Sequence, residues 1–139
     1  MEITVHSVID NLNESELPDG EPEINIITLP CSIEASAGGA RVTYREEGEG
    51  GAVDVSIEQL CDGAVMLRRR GAVEWDVAFR EVETVRTLYR VPPYSFDATV
   101  YTKKIRISTE PNLVIQLIYS MDIGGQKKNV RMKITAKGK

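Results

Sequence analysis

The chain has 139 residues and a mass of 15.4 kDa, which suits a single domain over residues 1–139 with a core of its own. Its apolar fraction of 42% and charged fraction of 27% exclude the disordered, collagen-like and membrane-spanning classes. It holds 36 Val, Ile and Thr residues against 17 Leu and Ala residues, and this balance predicts strands because branched side chains suit a pleated sheet.

Cysteine usage and the N-terminus both indicate the cytoplasm. Cys31 and Cys61 are too few for a disulfide framework and do not form a C-x-x-C pair, so we interpret them as small, isolated and buried apolar groups. The first ten residues include Glu2 and Asp10 and lack the basic and apolar regions of an export signal. No segment approaches the roughly 20 apolar residues that cross a bilayer. We therefore expect a cytoplasmic protein with no membrane partner.

The net charge of −4 conceals a gradient along the chain. Residues 1–60 contain 13 acidic and 2 basic side chains, whereas residues 103–139 contain 2 acidic and 9 basic ones. A basic C-terminal third can be a nucleic-acid surface. We favour the simpler interpretation that the first and last strands meet and that their opposite charges pair across the sheet, so no nucleic-acid partner is expected.

The first half of the chain predicts four strands separated by turns. A cluster of Asn, Asp, Pro and Gly makes residues 11–23 a loop. Pro30 removes a backbone donor, so its strand is expected at an edge or beside a bulge. The segments with alternating apolar residues are 2–10, 24–37, 40–47 and 53–58.

The second half predicts six more strands. Residues 81–91 also fit a helical stripe, but alternation of Val85, Thr87, Tyr89 and Val91 favours a strand over 83–91. Within 96–109 the apolar residues of the inner face change from even-numbered to odd-numbered positions, which predicts a bulge near 102–104. The remaining strands are expected at 64–70, 73–80 and 113–123, with a last one that carries Val130, Met132 and Ile134 on its inner face.

About ten short antiparallel strands in one domain must stack as two sheets or close on themselves. Most of these strands are apolar on one face only, which is typical of a barrel whose interior is the core. The sequence therefore predicts an all-β antiparallel meander closed into a β-barrel of eight to ten strands.

Several short motifs, in this order and spacing, resemble those of the YwiB-like bacterial proteins. The motifs are Arg69-Arg70-Gly71, residues 88–97 (LYRVPPYSFD), residues 102–105 (TKKI) and residues 123–126 (IGGQ), together with Tyr44 and Glu46. The resemblance runs over residues 2–137 and implies a calycin-like, lipocalin-like barrel but no reaction, since that family has no assigned activity. Ser95 stands where the family usually has a glycine after the Pro-Tyr corner, so the resemblance does not define the turn there.

Enzyme and metal motifs are absent from the sequence. His6 is the only histidine and lies on the polar face of its strand, so neither a metal site nor a histidine-activated nucleophile is indicated. No P-loop, G-x-S-x-G, G-x-G-x-x-G or H-E-x-x-H string occurs. We expect a protein that is not an enzyme and that uses no cofactor.

Two groups of residues are candidates for a binding site. Glu46 and Arg69 interrupt the inward apolar pattern of their strands, and we expect them to form an ion pair at the barrel rim, with an anion bound by Arg69 as the alternative. If the assignment of inward and outward positions is shifted by one residue, both side chains lie in solvent. The tyrosines that could line a pocket mouth, or pack in the core instead, are Tyr44, Tyr89, Tyr101 and Tyr119.

Two functions fit this interpretation. The first is a binding module that holds a small, partly apolar or anionic ligand in the barrel. The alternative is a structural or interaction protein with a packed barrel that acts through self-association, as a homodimer, or through a protein partner. The segment 113–123 favours this alternative, because Val114 and Ile118 need cover on the face opposite Ile115 and Leu117.

Overall fold

The computed structural model describes residues 1–137 and contains ten strands. No helix in this range is long and apolar enough to cross a membrane. The strands are β1 (Glu2–Asn11), β2 (Glu23–Ser36), β3 (Gly39–Gly48), β4 (Gly51–Gln59), β5 (Val65–Gly71), β6 (Trp75–Phe79), β7 (Glu83–Val91), β8 (Tyr94–Ser108), β9 (Leu113–Ile123) and β10 (Gln126–Lys137).

The strands form an antiparallel sheet in the order β6-β5-β4-β3-β2-β1-β10-β9-β8-β7. β1 therefore pairs with both its sequence neighbour and the last strand. The two outer strands, β6 and β7, approach each other and are joined where Glu74 and Arg90 exchange two backbone hydrogen bonds of 2.9 Å. The sheet thus curls into a nearly closed barrel, and the predicted all-β barrel is confirmed.

Inward-facing side chains fill one end of the barrel, which we call the packed end. The alternation of buried and exposed positions in β1, β4, β6 and β9 directs every second side chain to the interior. Large side chains among them that are almost fully buried include Ile3, Val42, Ile57, Val65, Phe79, Ile115 and Ile134. Burial of these side chains excludes water from this end and stabilises the fold.

Most of the irregular positions agree with the sequence. The register between β8 and β9 shifts between Thr102 and Lys104, so the predicted bulge is confirmed. Residues 83–91 form a strand and not a helix. Ser95 pairs with Arg90 just inside β8, after the Pro92-Pro93 turn. The expected burial of the two cysteines is wrong for Cys61, which is exposed because it lies in the turn between β4 and β5, and Cys31 is only half-buried.

Pro30 marks the place where β2 changes partners. Residues 23–30 pair with β1, whereas residues 31–36 pair with β3. The Cys31 N–H donates to the Met1 carbonyl. The backbone N–H and C=O groups of the odd-numbered residues of β2 therefore face β1, and those of the even-numbered residues face away from it. Continuing the ladder to β3 beyond Cys31 would require an N–H on Pro30, which proline lacks. The β2–β3 ladder ends there, and residues 23–30 have one unpaired side, which we call the free β2 edge.

The expected pairing of opposite charges between the first and last strands is wrong at most positions. β1 and β10 do meet, and Glu2 lies opposite Lys137, but Lys133 lies opposite His6, and Arg131 lies opposite Val8. Within residues 1–137, Lys127 with Glu16, at 3.1 Å, is the ion pair that links the basic C-terminal third to the acidic N-terminal segment. The other acids of the first sixty residues lie mainly in the loop before β2 and on β2–β4.

Candidate functional site

The end of the barrel opposite the packed end contains a cavity of about 780 Å³. The cavity is lined by the inner faces of β1, β2, β3, β5, β6, β7, β8, β9 and β10, so almost every strand contributes to it. Its polar lining residues are Ser7, Asn25, Glu46, Arg69, Tyr89, Tyr119, Gln126 and Lys128, and its larger apolar ones are Ile9, Ile27, Trp75, Phe96, Met121, Ile123 and Met132.

Glu46 and Arg69 form an ion pair in the cavity wall. Arg69 Nη1 donates to Glu46 Oε2 at 3.2 Å. The two residues lie on β3 and β5, one strand apart, and their side chains meet across the inner face of β4. Their side chains are 27% and 23% exposed, so the pair is accessible from the cavity. The predicted ion pair is present, and Arg69 keeps guanidinium N–H groups that Glu46 does not use.

Two tyrosines lie beside this ion pair. Burial raises the pKa of the Tyr119 hydroxyl, and the Arg69 charge opposes that rise. Burial likewise raises the pKa of Tyr44, the Glu46 carboxylate adds to the rise, and Arg69 again opposes it. Both hydroxyls therefore stay protonated at neutral pH. Tyr119 lines the cavity and can donate a hydrogen bond there, whereas Tyr44 packs in the core next to Glu46.

Aromatic contacts form the floor and one wall of the cavity. Phe79 and Tyr119 pack with ring centroids 4.7 Å apart and separate the cavity from the packed end. Trp75 and Tyr89 meet edge to face at 5.5 Å across the approach of β6 to β7. The Trp75 indole N–H donates to Thr87 Oγ1 at 2.6 Å. The indole is thus held in one orientation with part of its surface facing the cavity.

A family model described as a domain of unknown function, DUF1934, matches residues 9–134 of the chain. The match spans nearly all ten strands. The chain belongs to the DUF1934 family. Among curated proteins, none matches the sequence.

The DUF1934 chain is also similar to a solved structure, the ywiB protein from Bacillus subtilis. The two share 20% sequence identity, with a TM-score of 0.76 over 99% of this chain and 92% of that one. The likeness shows that the two proteins share a fold.

The DUF1934 cavity brings together part of the predicted site. Glu46, Arg69, Tyr89 and Tyr119 line it, and Tyr44 lies just beneath. Tyr101 is not brought to it, because this side chain is 36% exposed on the outer face of β8, one residue from the inward Val100.

Lys128 and Trp75 also line the DUF1934 cavity, and the sequence did not single out either one as a site residue. Lys128 shares the inner face of β10 with Val130 and Met132, so its alternation was a usable signal. No sequence pattern places Trp75 at the cavity and not in the packed end. Residues 1–137 contain no group of three His, Cys, Asp or Glu side chains that could hold a metal ion.

Proposed function

We propose that this protein is a non-enzymatic, cytoplasmic binding module whose barrel cavity takes a small, partly apolar anion. The observation that carries the proposal is the cavity itself, which combines apolar walls with Arg69 and Lys128. The calycin-like character implied by the sequence motifs supports the same idea, because barrels of about this strand number hold one small ligand.

The cavity has the size expected for one small molecule. Its volume of about 780 Å³ falls within the roughly 300–1,000 Å³ of typical ligand pockets. Ile9, Ile27 and Met121 supply apolar wall on three different strands. A ligand with an aliphatic or aromatic body would bury that surface and be stabilised by the hydrophobic effect.

The charges of the cavity favour an anionic group on the ligand. Glu46 offsets one of the two cations by pairing with Arg69. Lys128 forms no ion pair within residues 1–137, so the cavity lining has one uncompensated positive charge. A carboxylate or phosphate could take hydrogen bonds from Lys128, from the free N–H groups of Arg69 and from the Tyr119 hydroxyl.

Binding is favoured over catalysis because the cavity supplies no free general base. Glu46 is the carboxylate of the cavity lining, and its oxygen is engaged by Arg69. The raised pKa of Tyr119 keeps that hydroxyl protonated, so it acts as a donor and not as a nucleophile.

A fluorescence titration tests the proposal. Trp75 faces the cavity, so its emission should change when saturated fatty acids from octanoate to palmitate are added. Lys128→Gln should weaken binding at least about tenfold, the loss expected when a charge-assisted hydrogen bond is removed. Arg70→Gln is the matched control. This substitution should leave the ligand affinity unchanged, because Arg70 pairs with Asp76 outside the cavity.

The charge requirement is tested by comparing decanoate with decanol, which should bind at least about tenfold more weakly. Absence of any change in Trp75 emission, together with no ligand-bound mass in native mass spectrometry, would remove the basis for the proposal.

An interaction role is the second candidate function. It is favoured by apolar side chains on the outer face, where Ile118 is 37% exposed and Ile24 and Ile26 are more exposed still. Val114, by contrast, is half-buried. Sedimentation at micromolar concentration tests this role directly, because a protein that acts through self-association should not behave as a strict monomer.

A further inference from the structure

The free β2 edge is an unusual feature of this barrel. Between Pro22 and Pro30, the even-numbered residues Ile24, Ile26 and Thr28 direct their backbone N–H and C=O groups away from β1. Within residues 1–137 these groups have no backbone partner on that side. Such an edge is complementary to another extended strand, and proteins usually cover or charge it.

The surroundings leave this edge uncovered. The loop that precedes β2 is held on the opposite side of β1, where the Leu12 N–H donates to the Lys127 carbonyl and Glu16 pairs with Lys127. The side chains on the outer face of the edge are apolar, with Ile24 62% and Ile26 63% exposed. This edge therefore presents both unpaired backbone groups and exposed isoleucines.

We propose that the free β2 edge pairs with the same edge of a second copy of this chain, in an antiparallel two-fold dimer centred on Ile26. The proposal goes beyond ligand binding and does not depend on it. The two barrels would share one continuous sheet across the dimer, and each copy would present the same surface to the other, as two-fold symmetry requires.

The two prolines define the register of this pairing. Neither Pro22 nor Pro30 can donate a hydrogen bond, so the usable backbone groups are those of the three even-numbered residues between them. Pairing Ile24 with Thr28 of the second copy, and Ile26 with its own equivalent, uses all of them and makes on the order of six hydrogen bonds. A shift of two residues in either direction places in the ladder a proline, which has no N–H to donate.

Side chains agree with this register. The isoleucines of the two copies lie side by side on the outer face, where they bury each other's exposed surface. Glu23 comes to lie opposite Leu29 of the second copy, so no two carboxylates face each other. Glu23, at the N-terminal end of β2, also lies near Arg45 of the other copy. Tyr44 pairs with Cys31, and Arg45 is the next residue of β3. In the single chain Arg45 has only an exposed contact to Glu47 at 3.4 Å.

Cysteine cross-linking tests the two-fold axis. In the full chain carrying Cys61→Ser, Ile26→Cys should form a covalent dimer under mild oxidation, because facing residues of a hydrogen-bonded pair lie about 5.5 Å apart, within disulfide range. Ile24→Cys is the matched control. It is equally exposed, but its two copies would lie about 13 Å apart. Equal cross-linking of the two variants, or none of either, would overturn the proposal.

Sedimentation equilibrium supplies the second test. The unmodified chain should dimerise, and Ile26→Lys should weaken the dimer at least about tenfold by placing two ammonium groups on the axis. Ile118→Lys, on the outer face of β9, should leave the dimer unchanged, and circular dichroism should show that both variants are folded. If the chain stays monomeric up to about 100 µM, self-pairing is overturned, and the edge is then better explained as a site for an extended segment of a different protein. Loss of the dimer in Ile118→Lys alone would move the interface to β9, with the same consequence.

Discussion

The two ends of the barrel are made by the same strands with the same alternation, yet one end is solid and the other holds a cavity. At the packed end, Ile3, Phe79 and Ile115 fill the space between the walls. At the cavity end, the inward positions on the same strands are occupied by Ser7, Trp75 and Tyr119. Alternation thus fixes which residues face inward, whereas the size and charge of those residues decide whether the interior closes.

Two kinds of stabilisation follow from this difference. The packed end depends on dense contact between apolar side chains, which is sensitive to any lost volume. The cavity end depends on an ion pair, aromatic contacts and protonated tyrosines, which are sensitive to pH and to the loss of one partner. Substitutions at the two ends should therefore have different signatures.

The largest expected effect separates the ends by volume. Phe79→Ala, where the packed end meets the cavity floor, should lower the free energy of unfolding by about 3–5 kcal/mol, because it opens a void at a fully buried position. Met121→Ala at the cavity should cost less than about 2 kcal/mol, because its side chain already borders open space. Urea unfolding measures both. Equal losses would show that the cavity end is packed as tightly as the other.

A second effect separates them by pH. Unfolded tyrosine ionises near pH 10, and burial raises the pKa of Tyr44 and Tyr119 in the folded state. The stability from these two groups is complete below about pH 10 and falls above it, by up to about 1.4 kcal/mol per pH unit for each tyrosine.

Chemical unfolding between pH 8 and pH 11 measures this slope. Tyr119→Phe should reduce the loss of stability above pH 10 by about half, since one of the two groups no longer titrates. Tyr94→Phe alters an exposed ring and serves as the control. An unchanged slope in Tyr119→Phe would contradict the burial of that hydroxyl.

The smallest effect concerns the ion pair. Glu46→Leu or Arg69→Met alone should cost about 1–2 kcal/mol, because each leaves a partly buried charge without its partner. The double variant Glu46→Leu/Arg69→Met should fall within about 1 kcal/mol of the parent, because apolar groups of similar volume replace both charges. A double-mutant cycle gives the coupling. Additive losses would mean that solvent already screens the pair.

Much of the barrel could be predicted from the sequence because its signal is local. Alternation of Val53, Val55 and Ile57 identifies both a strand and its inner face. The parity change after Val100 locates the bulge for the same reason. Glu46 and Arg69 could be paired in advance because each is a charge on an inward position, and a charge in a barrel interior needs a partner.

The remainder depends on which strands are neighbours. Alternation from Ala98 and Val100 already directs Tyr101 outward, so its inclusion with the other tyrosines ignored a usable signal. Whether Lys128 and Trp75 share a cavity depends on the closure of β6 against β7 and on the level of each strand in the barrel, which no single segment encodes. Pro30 indicates that β2 has an unpaired edge, but only the register of β1, β2 and β3 shows which side of β2 is free.

The pairing of the first strand with the last one sets the timing of folding. β1 emerges from the ribosome before the other nine strands, yet one of its two neighbours is β10, the last of the ten. The barrel can therefore close only after β10 has been synthesised. Contacts so distant in sequence favour slow folding, in the range of about milliseconds to seconds. Until then β1 presents an unpaired side to the cell, so the nascent chain is exposed to aggregation for the length of its synthesis.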